Sequence, residues 1–481
     1  TTTLGSQYTD VGFHRTDAYG AKLLAGSSSL AGTAARFAVA ELTNDIRTLG
    51  FLGREQIAWR DRVFLTGGIR TDKNSAFGAN FARVVYPSLS ASWVVSEESF
   101  FPKLDALSSL RLRTAIGSSG QNPGYLAAEQ YYLPVTAIVR GQDVPAFTIG
   151  GAGNNSLRPE KSTERELGLD IGLLRNRLNI ELTHYNKATK DALVNVNNAP
   201  SLGTSPNRFI NVGRVRNTGE EAMVRATLFD GRLVQFDLNV NGSWTRNNLE
   251  DLGADENGAA IPEFTGGFDA MQIFKTGLPL GAYYAKAISY ADANGDNLIG
   301  CRDGPGSASC EFTASDEPIY LGTPFPRSEI SVSPTLTVGF ARLTATLDRR
   351  SGQALFNLTG VYRNALFANG SAVQLPDASN LQTQAAAQAA SYGLLGGFVE
   401  DASFTKLREV SLSLTLPKRI AARAGAGSAV LTFAGRNLHT WTRYSGLDPE
   451  VNAAAQSNFA TADFLTAPQV RYFTARLALS F

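Results

Sequence analysis

The amino-acid sequence predicts an all-β fold, a transmembrane antiparallel β-barrel. Apolar and polar residues alternate in runs of about ten residues, the length that a tilted strand needs to cross a bilayer. Short turns and long polar connections both join these runs, an asymmetry typical of outer-membrane barrels. Neither a run of ~18 apolar residues nor a long helical periodicity occurs, which excludes a helical membrane protein.

The amino-acid composition fits a membrane β-barrel and argues against a nucleic-acid-binding protein. The 481 residues include 46 glycines and 10% aromatic residues, as expected for many strands and turns. A barrel keeps an average hydropathy near neutral because only alternate residues face lipid. The formal charge of +1, without a long run of Lys or Arg, argues against nucleic acid as a partner.

Alternation appears along most of the chain. The clear runs are 62–70, 88–93, 164–171, 178–183, 220–228, 233–245 and 411–416. Weaker runs are 34–60, 109–117, 328–347, 353–363, 428–438 and 470–481. Together they predict roughly fourteen or fifteen strands, each long enough to span a membrane.

The clearest pair of runs predicts a hairpin over 220–245, with a turn at FDGR. On its second strand Val234, Phe236, Leu238 and Val240 share one face, which we expect to contact lipid. Polar residues, among them Asn239, occupy the other face.

Long polar connections are expected near 119–160, 247–325 and 365–402, on the extracellular side. Within the last of these, QTQAAAQAASYGLL is compatible with a short helix. At the C-terminal end of the sequence, apolar and polar residues alternate up to Phe481. A last strand with outward apolar residues and a terminal Phe predicts an assembly signal for the outer membrane.

Cys301 and Cys310 enclose the octet RDGPGSAS in a polar segment. In a surface loop of an exported protein the two would form a disulfide. The alternative is a pair of free thiols in a cytosolic loop. The first ten residues show no signal peptide, so an exported protein would here be a mature form or a fragment.

The segment 292–303 has the spacing of a calcium-binding loop. The ligands at positions 1, 3, 5, 7 and 12 would be Asp292, Asn294, Asp296, the Leu298 carbonyl and Asp303. Two features depart from the usual pattern, because position 6 is Asn297 instead of Gly and position 12 is Asp instead of Glu. The alternative is an Asp/Asn/Gly-rich turn without an ion.

No catalytic residues are predicted. The three histidines His14, His184 and His439 are scattered, and no Ser/His/Asp arrangement or phosphate-binding loop occurs. Acidic residues on the polar faces of strands, such as Glu164, Glu166, Asp170 and Asp237, are expected to hydrate a lumen.

Several segments resemble the SusC/RagA type of TonB-dependent receptor, in that family's order. They are 49–80, 86–101 (YPSLSASWVVSEESFF), 107–124, 157–193, 211–221 (NVGRVRNTGEE), 400–417, 434–452 and 467–481. The family also often carries a D-x-N-G-D-G-x-I stretch like the one at Asp292. The ordered series is more specific than any single motif.

The resemblance implies an outer-membrane importer of a nutrient such as a glycan or peptide, with substrate-binding residues unassigned. It also implies TonB and a SusD-like lipoprotein as partners, besides membrane lipids. Members of the family have a plug and about twenty-two strands in all. We therefore expect residues 1–481 to be the C-terminal part of such a barrel, without the plug and first strands. Alternatives from other classes are a plug-less passive channel and a structural barrel subunit.

Overall fold

The fold is described by a computed structural model. It describes residues 1–23, 25–26, 33–77, 83–102, 104, 106–197, 207–254, 258–367, 373, 375–454 and 460–481. Residues 78–80, which end the first of the family-like segments, lie outside this part. No helix in the described ranges is both long and apolar enough to cross a membrane.

One antiparallel sheet of 14 strands forms a continuous wall, and the order of its strands in space is their order in the chain. The strands are β1 (Thr2–Leu23), β2 (Thr33–Trp59), β3 (Val63–Asn74), β4 (Val84–Val94), β5 (Leu107–Gln121), β6 (Glu160–Leu173), β7 (Leu178–Asn197), β8 (Asn207–Asp230), β9 (Val234–Asp251), β10 (Ser328–Val338), β11 (Ala341–Ser351), β12 (Phe404–Thr415), β13 (Ser428–Thr442) and β14 (Tyr472–Ser480). The predicted all-β, antiparallel fold and its strand number are confirmed.

The two ends of the wall differ. At the turn end, three or fewer residues separate β2 from β3, β8 from β9 and β10 from β11. Gly339 in the last of these turns has a φ of 55°, a conformation that glycine adopts without strain. At the loop end, the connections 122–159, 252–327, 352–403 and 443–471 are long. The predicted asymmetry between short turns and long loops is present.

Strand register separates an outward from an inner face. One cross-strand row is entirely aliphatic and runs over eight strands, with the residues Leu110, Ile171, Ile180, Val224, Val240, Val332, Leu347 and Leu407. The adjacent row, on the other face, is Arg111, Asp170, Glu181, Met223, Asn241, Ser331, Asp348 and Lys406. Neighbouring residues of a strand point to opposite faces, so one face of the wall is apolar and the other polar.

The long connections fold over the polar face, which is therefore the inner one. Val215 and Leu249 on the inner face of β8 and β9 are buried, at 3% and 0% exposure. They are covered by Phe274 and Leu280 from the connection 252–327. We call the opposite, apolar side the outward face.

The wall has two edges. Strand β1 pairs with β2, and β14 pairs with β13, but among the described strands neither edge has a second neighbour. Strands β1 and β14 are therefore the edge strands of the sheet within the described residues.

The connections contain their own secondary structure. Their strands are Tyr131–Val139 with Gln142–Gly151, Phe264–Gly266 with Gln272–Phe274, Ala282–Ala285 and Ile319–Gly322, Ile288–Tyr290 with Phe312–Ala314, and Ala354–Phe356 with Val399–Asp401. The helices are α1 (Leu358–Val361), α2 (Leu381–Ser391) and α3 (Lys418–Arg423), with a short π-helix at Tyr362–Leu366 and 3₁₀ helices at Val95–Glu97, Phe268–Ala270, Ala378–Asn380 and Leu395–Phe398.

Three connections share one core. Met271 and Tyr283 from 252–327 pack with Phe356 from 352–403 and with Ala462 from 443–471. Helix α2 contributes Ala386, one of several buried alanines whose small side chains let the helix approach its neighbours closely. The segment compatible with a short helix is thus part of a packed unit.

One expected strand is wrong, and one strand was not predicted. The run 353–363, expected to be a spanning strand, is the three-residue strand Ala354–Phe356 followed by α1. The helix begins there because the Asn357 side chain accepts a hydrogen bond from the Gly360 N–H at 2.7 Å. Strand β1 was not predicted, because its apolar residues change parity, from Leu4 and Tyr8 to Val11 and Phe13.

Candidate functional site

The inner wall carries a polar recess near the middle of the sheet. A cavity of about 570 Å³ is lined there by the carboxylates of Glu181, Glu221, Glu329 and Asp348. Two of them are compensated, Glu329 by Arg350, whose Nε atom lies 3.0 Å away, and Asp348 by Arg408. The excess of acidic groups suits water, hydroxyl groups or cationic groups of a passing solute.

The acidic residues expected in the lumen lie on the inner face. Asp170 is bound by two arginines, Arg111 and Arg113, from strand β5. Asp237 accepts a hydrogen bond from the Thr227 hydroxyl at 2.8 Å. These contacts hold the carboxylates against the wall.

A second cavity, of about 780 Å³, lies between the inner wall and the connections at the loop end. We call it the loop-covered cavity. Its wall side includes Lys187, Asn217 and Asn247, and its loop side includes Phe268 and Phe325. A space that combines amides, a cation and aromatic rings can hold a polar oligomer through hydrogen bonds and stacking.

The amides of this cavity are fixed in orientation. Nδ2 of Asn247 donates to Oδ1 of Asn217 at 2.7 Å. Oδ1 of Asn247 accepts from the backbone N–H of Leu280 at 2.7 Å. One side chain of the wall thereby positions both its neighbouring strand and the connection that covers it. These residues lack any local sequence motif.

Among the tyrosines of the long connections, Tyr283 is not available to bind substrate. Its side chain is fully buried, and its hydroxyl lies 2.7 Å from Oγ1 of Thr461. Burial raises the pKa of Tyr283 to about 12. The residue is part of the shared core. By contrast, Tyr132 in the hairpin 131–151 is 59% exposed.

A buried group of charges joins the connection 443–471 to the wall. Nζ of Lys406 on β12 lies 2.7 Å from Asp448 and 2.7 Å from Glu450. Arg408 forms a two-fold contact with Glu450 and also binds Asp348 at 2.7 Å. We call these five residues the charge latch. No sequence motif indicates this group of charges, because the partners lie on separate elements.

Glu450 is ionised within the charge latch. Burial alone would raise its pKa, but hydrogen bonds from Arg408 and Lys406 outweigh burial and lower the pKa to about 2. Earlier in the same connection, the Tyr444 hydroxyl donates to Asp463 at 3.0 Å. Burial raises the pKa of Tyr444. The hydrogen bond between Tyr444 and Asp463 joins the two ends of the connection 443–471.

The predicted calcium loop is a compact, oxygen-rich turn. Asp292 accepts from the N–H groups of Gly295 at 2.8 Å and of Asn297 at 3.0 Å. Asn297 has a φ of 61°, so it adopts the left-handed conformation for which glycine is usual at this position. Because Asn tolerates that conformation better than most residues, the first departure from the pattern is accommodated.

Asp303 lies apart from this turn, and its carboxylate accepts the Ser309 hydroxyl at 2.9 Å. Glu311, which was not predicted, instead contacts the turn and accepts the Ala293 N–H at 3.0 Å. In the described part of the chain, no three His, Cys, Asp or Glu side chains are grouped closely enough to hold a metal ion. Any ion in the turn would therefore depend on amide and carbonyl oxygens as well.

Cys301 and Cys310 are joined by a disulfide, which closes the segment between them. The segment packs on α2, since the Tyr392 hydroxyl donates to the Cys301 carbonyl at 2.9 Å. Phe481 follows the last strand and is 90% exposed. On β14, the residues Leu477 and Leu479 pair with outward residues of β13, so the terminal strand is apolar on its outward face.

Comparisons with known proteins give a consistent result. The family model described as "TonB dependent receptor-like, beta-barrel" matches residues 1–438. TonB-dependent receptor P3 of Formosa agariphila is 24% identical, over 94% of this chain and 47% of its own. TonB-dependent receptor SusC of Bacteroides thetaiotaomicron is 24% identical, over 85% of this chain and 42% of its own.

Among solved structures, that of the RagAB peptide transporter matches with a TM-score of 0.77 and 19% identity. The match covers 100% of this chain and 53% of that one. At this identity the likeness shows the fold. The chain spans about half the length of the curated relatives that it matches.

Proposed function

Because the chain belongs to the TonB dependent receptor-like β-barrel family, we propose that it is the C-terminal barrel portion of an importer for a nutrient such as a peptide or glycan. Proteins of this family are located in the outer membrane, and so is this one. The apolar outward face of the wall meets lipid, and the polar inner face lines the path of the solute.

The loop-covered cavity is the observation that carries this proposal. Its oriented amides, Asn217 and Asn247, offer hydrogen bonds to a polar oligomer, and Phe268 and Phe325 offer stacking surfaces. Peptides and glycans both present such groups. One structural neighbour is described as a peptide transporter, and one relative carries the name SusC.

Further strands would complete the barrel. In hydrocarbon, an unpaired backbone N–H or C=O costs several kcal/mol. The free sides of β1 and β14 therefore need partners, which we propose are the first strands of the complete receptor. A plug inside the closed barrel would be pulled open by TonB, and a SusD-like lipoprotein would cover the loop end.

A plug-less passive channel is the competing function. The folded connections argue against it, since they pack on the inner wall at Val215 and Leu249 and cover that part of it at the loop end. Passive flux would also be independent of energy, which gives a direct test.

The test is uptake by intact cells offered one pool of mixed peptides and one of mixed oligosaccharides. We expect selective depletion of one pool that stops when a protonophore collapses the proton gradient. Substitution of Asn217→Leu together with Asn247→Leu should slow this uptake more than tenfold. Asn179→Leu, at the turn end of the same face, is the matched control and should leave uptake unchanged.

Equal depletion of both pools, unaffected by the protonophore, would establish the passive channel instead. Selective and energy-dependent uptake that persists in the double variant would keep the importer but remove the loop-covered cavity as its binding site.

A further inference from the structure

Basic side chains gather at the loop end of the outward face of β6, β7 and β8. Cross-strand pairing places Lys161 directly beside Lys190, and Lys190 directly beside Arg214. Arg165 and Arg216 lie in the following rows, and all five line one cavity of about 480 Å³. We call these five residues the outer basic cluster.

The outer basic cluster points away from the lumen. Arg165 has the same parity along β6 as Leu167, Leu169 and Ile171, which belong to the apolar outward face. The residues that alternate with the cluster are buried on the inner side. Ser162 and Thr189, both 6% exposed, contact each other there at 2.7 Å.

The cluster carries more positive charge than its neighbours compensate. Glu250 contacts Arg216 and lies 3.9 Å from Arg214. Within the described residues, Lys161, Lys190 and Arg165 form no ion pair. The connection 198–206 between β7 and β8 contains no Asp or Glu that could supply one.

Like charges placed directly opposite each other on neighbouring strands repel and destabilise the sheet. A row of three cations across adjacent strands is therefore unfavourable by itself. An anion from outside the chain would convert this repulsion into attraction. Adjacent strands are about 4.8 Å apart, so flexible Lys and Arg side chains from three strands can converge on one phosphate group.

An apolar groove adjoins the cluster on the same face. This second cavity, of about 510 Å³, is lined mainly by apolar residues that include Trp93, Leu112, Leu167 and Leu182. Leu167 in the groove lies two residues after Arg165 of the cluster, and therefore on the same face of the strand. Moving from the loop end toward the turn end, a ligand would meet five cations and then a hydrocarbon surface.

We propose that the outer basic cluster and this groove together bind a phosphorylated glycolipid of the extracellular leaflet, with its phosphate on the cluster and an acyl chain in the groove. The loop end of an outer-membrane barrel faces that leaflet. Basic pockets at a membrane surface recognise anionic lipid head groups in this way. The inner-face cavities are separated from this site by the wall.

The proposal is tested on the receptor extracted from its own outer membrane, with native mass spectrometry to count bound lipid. The probes are lipid A, lipid A from which the phosphates have been removed, and phosphatidylethanolamine. We expect lipid A to be retained at least tenfold more strongly than either of the others.

The variant K161Q/K190Q/R214Q should reduce retention of lipid A at least tenfold. Its fold should be intact, because the substitutions remove repulsion between strands, and circular dichroism together with thermal unfolding will show this. The control R175Q/R177Q/R232Q removes the same charge at the turn end and should retain lipid A like the wild type. Lys161→Arg, which preserves the charge, should do so as well.

Equal retention of lipid A with and without phosphates would overturn the proposal, as would equal losses in the cluster variant and the control. A protein that co-purifies on this face and is lost in the cluster variant, without specific lipid, would assign the surface to a protein partner and also reject the lipid.

Discussion

Nζ of Lys406 lies 2.7 Å from Oδ1 of Asp448, and the two side chains are only 5% and 7% exposed. Desolvation makes such a buried pair costly, and the contacts of Lys406 with Glu450 and of Glu450 with Arg408 are needed to offset that cost. The arrangement connects strand β12 of the wall to the connection 443–471.

Removal of one partner from the charge latch should detach that connection. Lys406→Met leaves two carboxylates near each other without their ammonium, and breaking a buried pair costs about 3–5 kcal/mol. Limited proteolysis should then cleave within 443–471 faster than it does in the wild type. The double variant Lys406→Met/Asp448→Leu should be less affected than the single one, and a larger effect in the double variant would contradict this account.

The latch should also respond to pH. The folded pKa of Glu450, about 2, is below its ordinary value of 4.5. A depressed pKa stabilises the docked connection above the unfolded value and loses that contribution as pH falls toward the folded value. Protease protection of 443–471 should therefore be constant above about pH 5 and decline between pH 4.5 and 2. The decline should be absent in Glu450→Gln.

The outward register predicts an asymmetry between adjacent residues. Leu238 pairs with Ala226 and Pro334 on the outward face, whereas Asn239 pairs with Arg225 and Ser333 on the inner face. Leu238→Arg should destabilise the protein in bilayers by about 2–4 kcal/mol, and Asn239→Arg by far less. Equal losses in unfolding experiments in lipid vesicles would reject the assigned faces.

Deletion of Phe481 should slow assembly into membranes, since it removes the exposed terminal aromatic after an outward apolar strand. The rate is measured by the appearance of the folded, heat-modifiable form. Ligand affinity of the molecules that do assemble should be unchanged. Phe481→Tyr, which keeps the aromatic ring, serves as the control. An unaltered rate after deletion would remove Phe481 from the assembly signal.

We propose that the turn at 292–298 binds Ca²⁺, through Asp292, Asn294, Asp296 and the Leu298 carbonyl, with Asp303 or Glu311 as the further carboxylate. Calorimetry should show binding at millimolar Ca²⁺ or below, which Asp296→Ala abolishes. Comparison of Asp303→Asn with Glu311→Gln would identify the further ligand. Absence of heat in the wild type would leave an ordinary turn.

The sequence was sufficient for the parts of the fold that depend on local alternation. The hairpin of β8 and β9 was predicted because Val234, Phe236 and Leu238 alternate with polar residues without interruption. Strand β1 escaped prediction because its apolar residues change face midway, so that alternation within the strand did not reveal it.

The candidate sites could not be predicted in this way, because they consist of contacts between residues that are distant in the sequence. Lys161, Lys190 and Arg214 are far apart in the chain, and only the register of three strands brings them into one row. In the same way, Lys406 meets Asp448 only after a connection folds back on the wall. Binding sites that arise from strand register or from the packing of a loop on the sheet therefore cannot be predicted from alternation alone.

The core shared by three connections has a consequence for engineering. Tyr283 in the connection 252–327 is hydrogen-bonded to Thr461 in 443–471. Thr359 in 352–403 is hydrogen-bonded to Asp463, also in 443–471. Transplanting a single loop from a relative would leave these partners mismatched. Specificity should therefore be exchanged as a module, with 252–327, 352–403 and 443–471 moved together onto a recipient barrel.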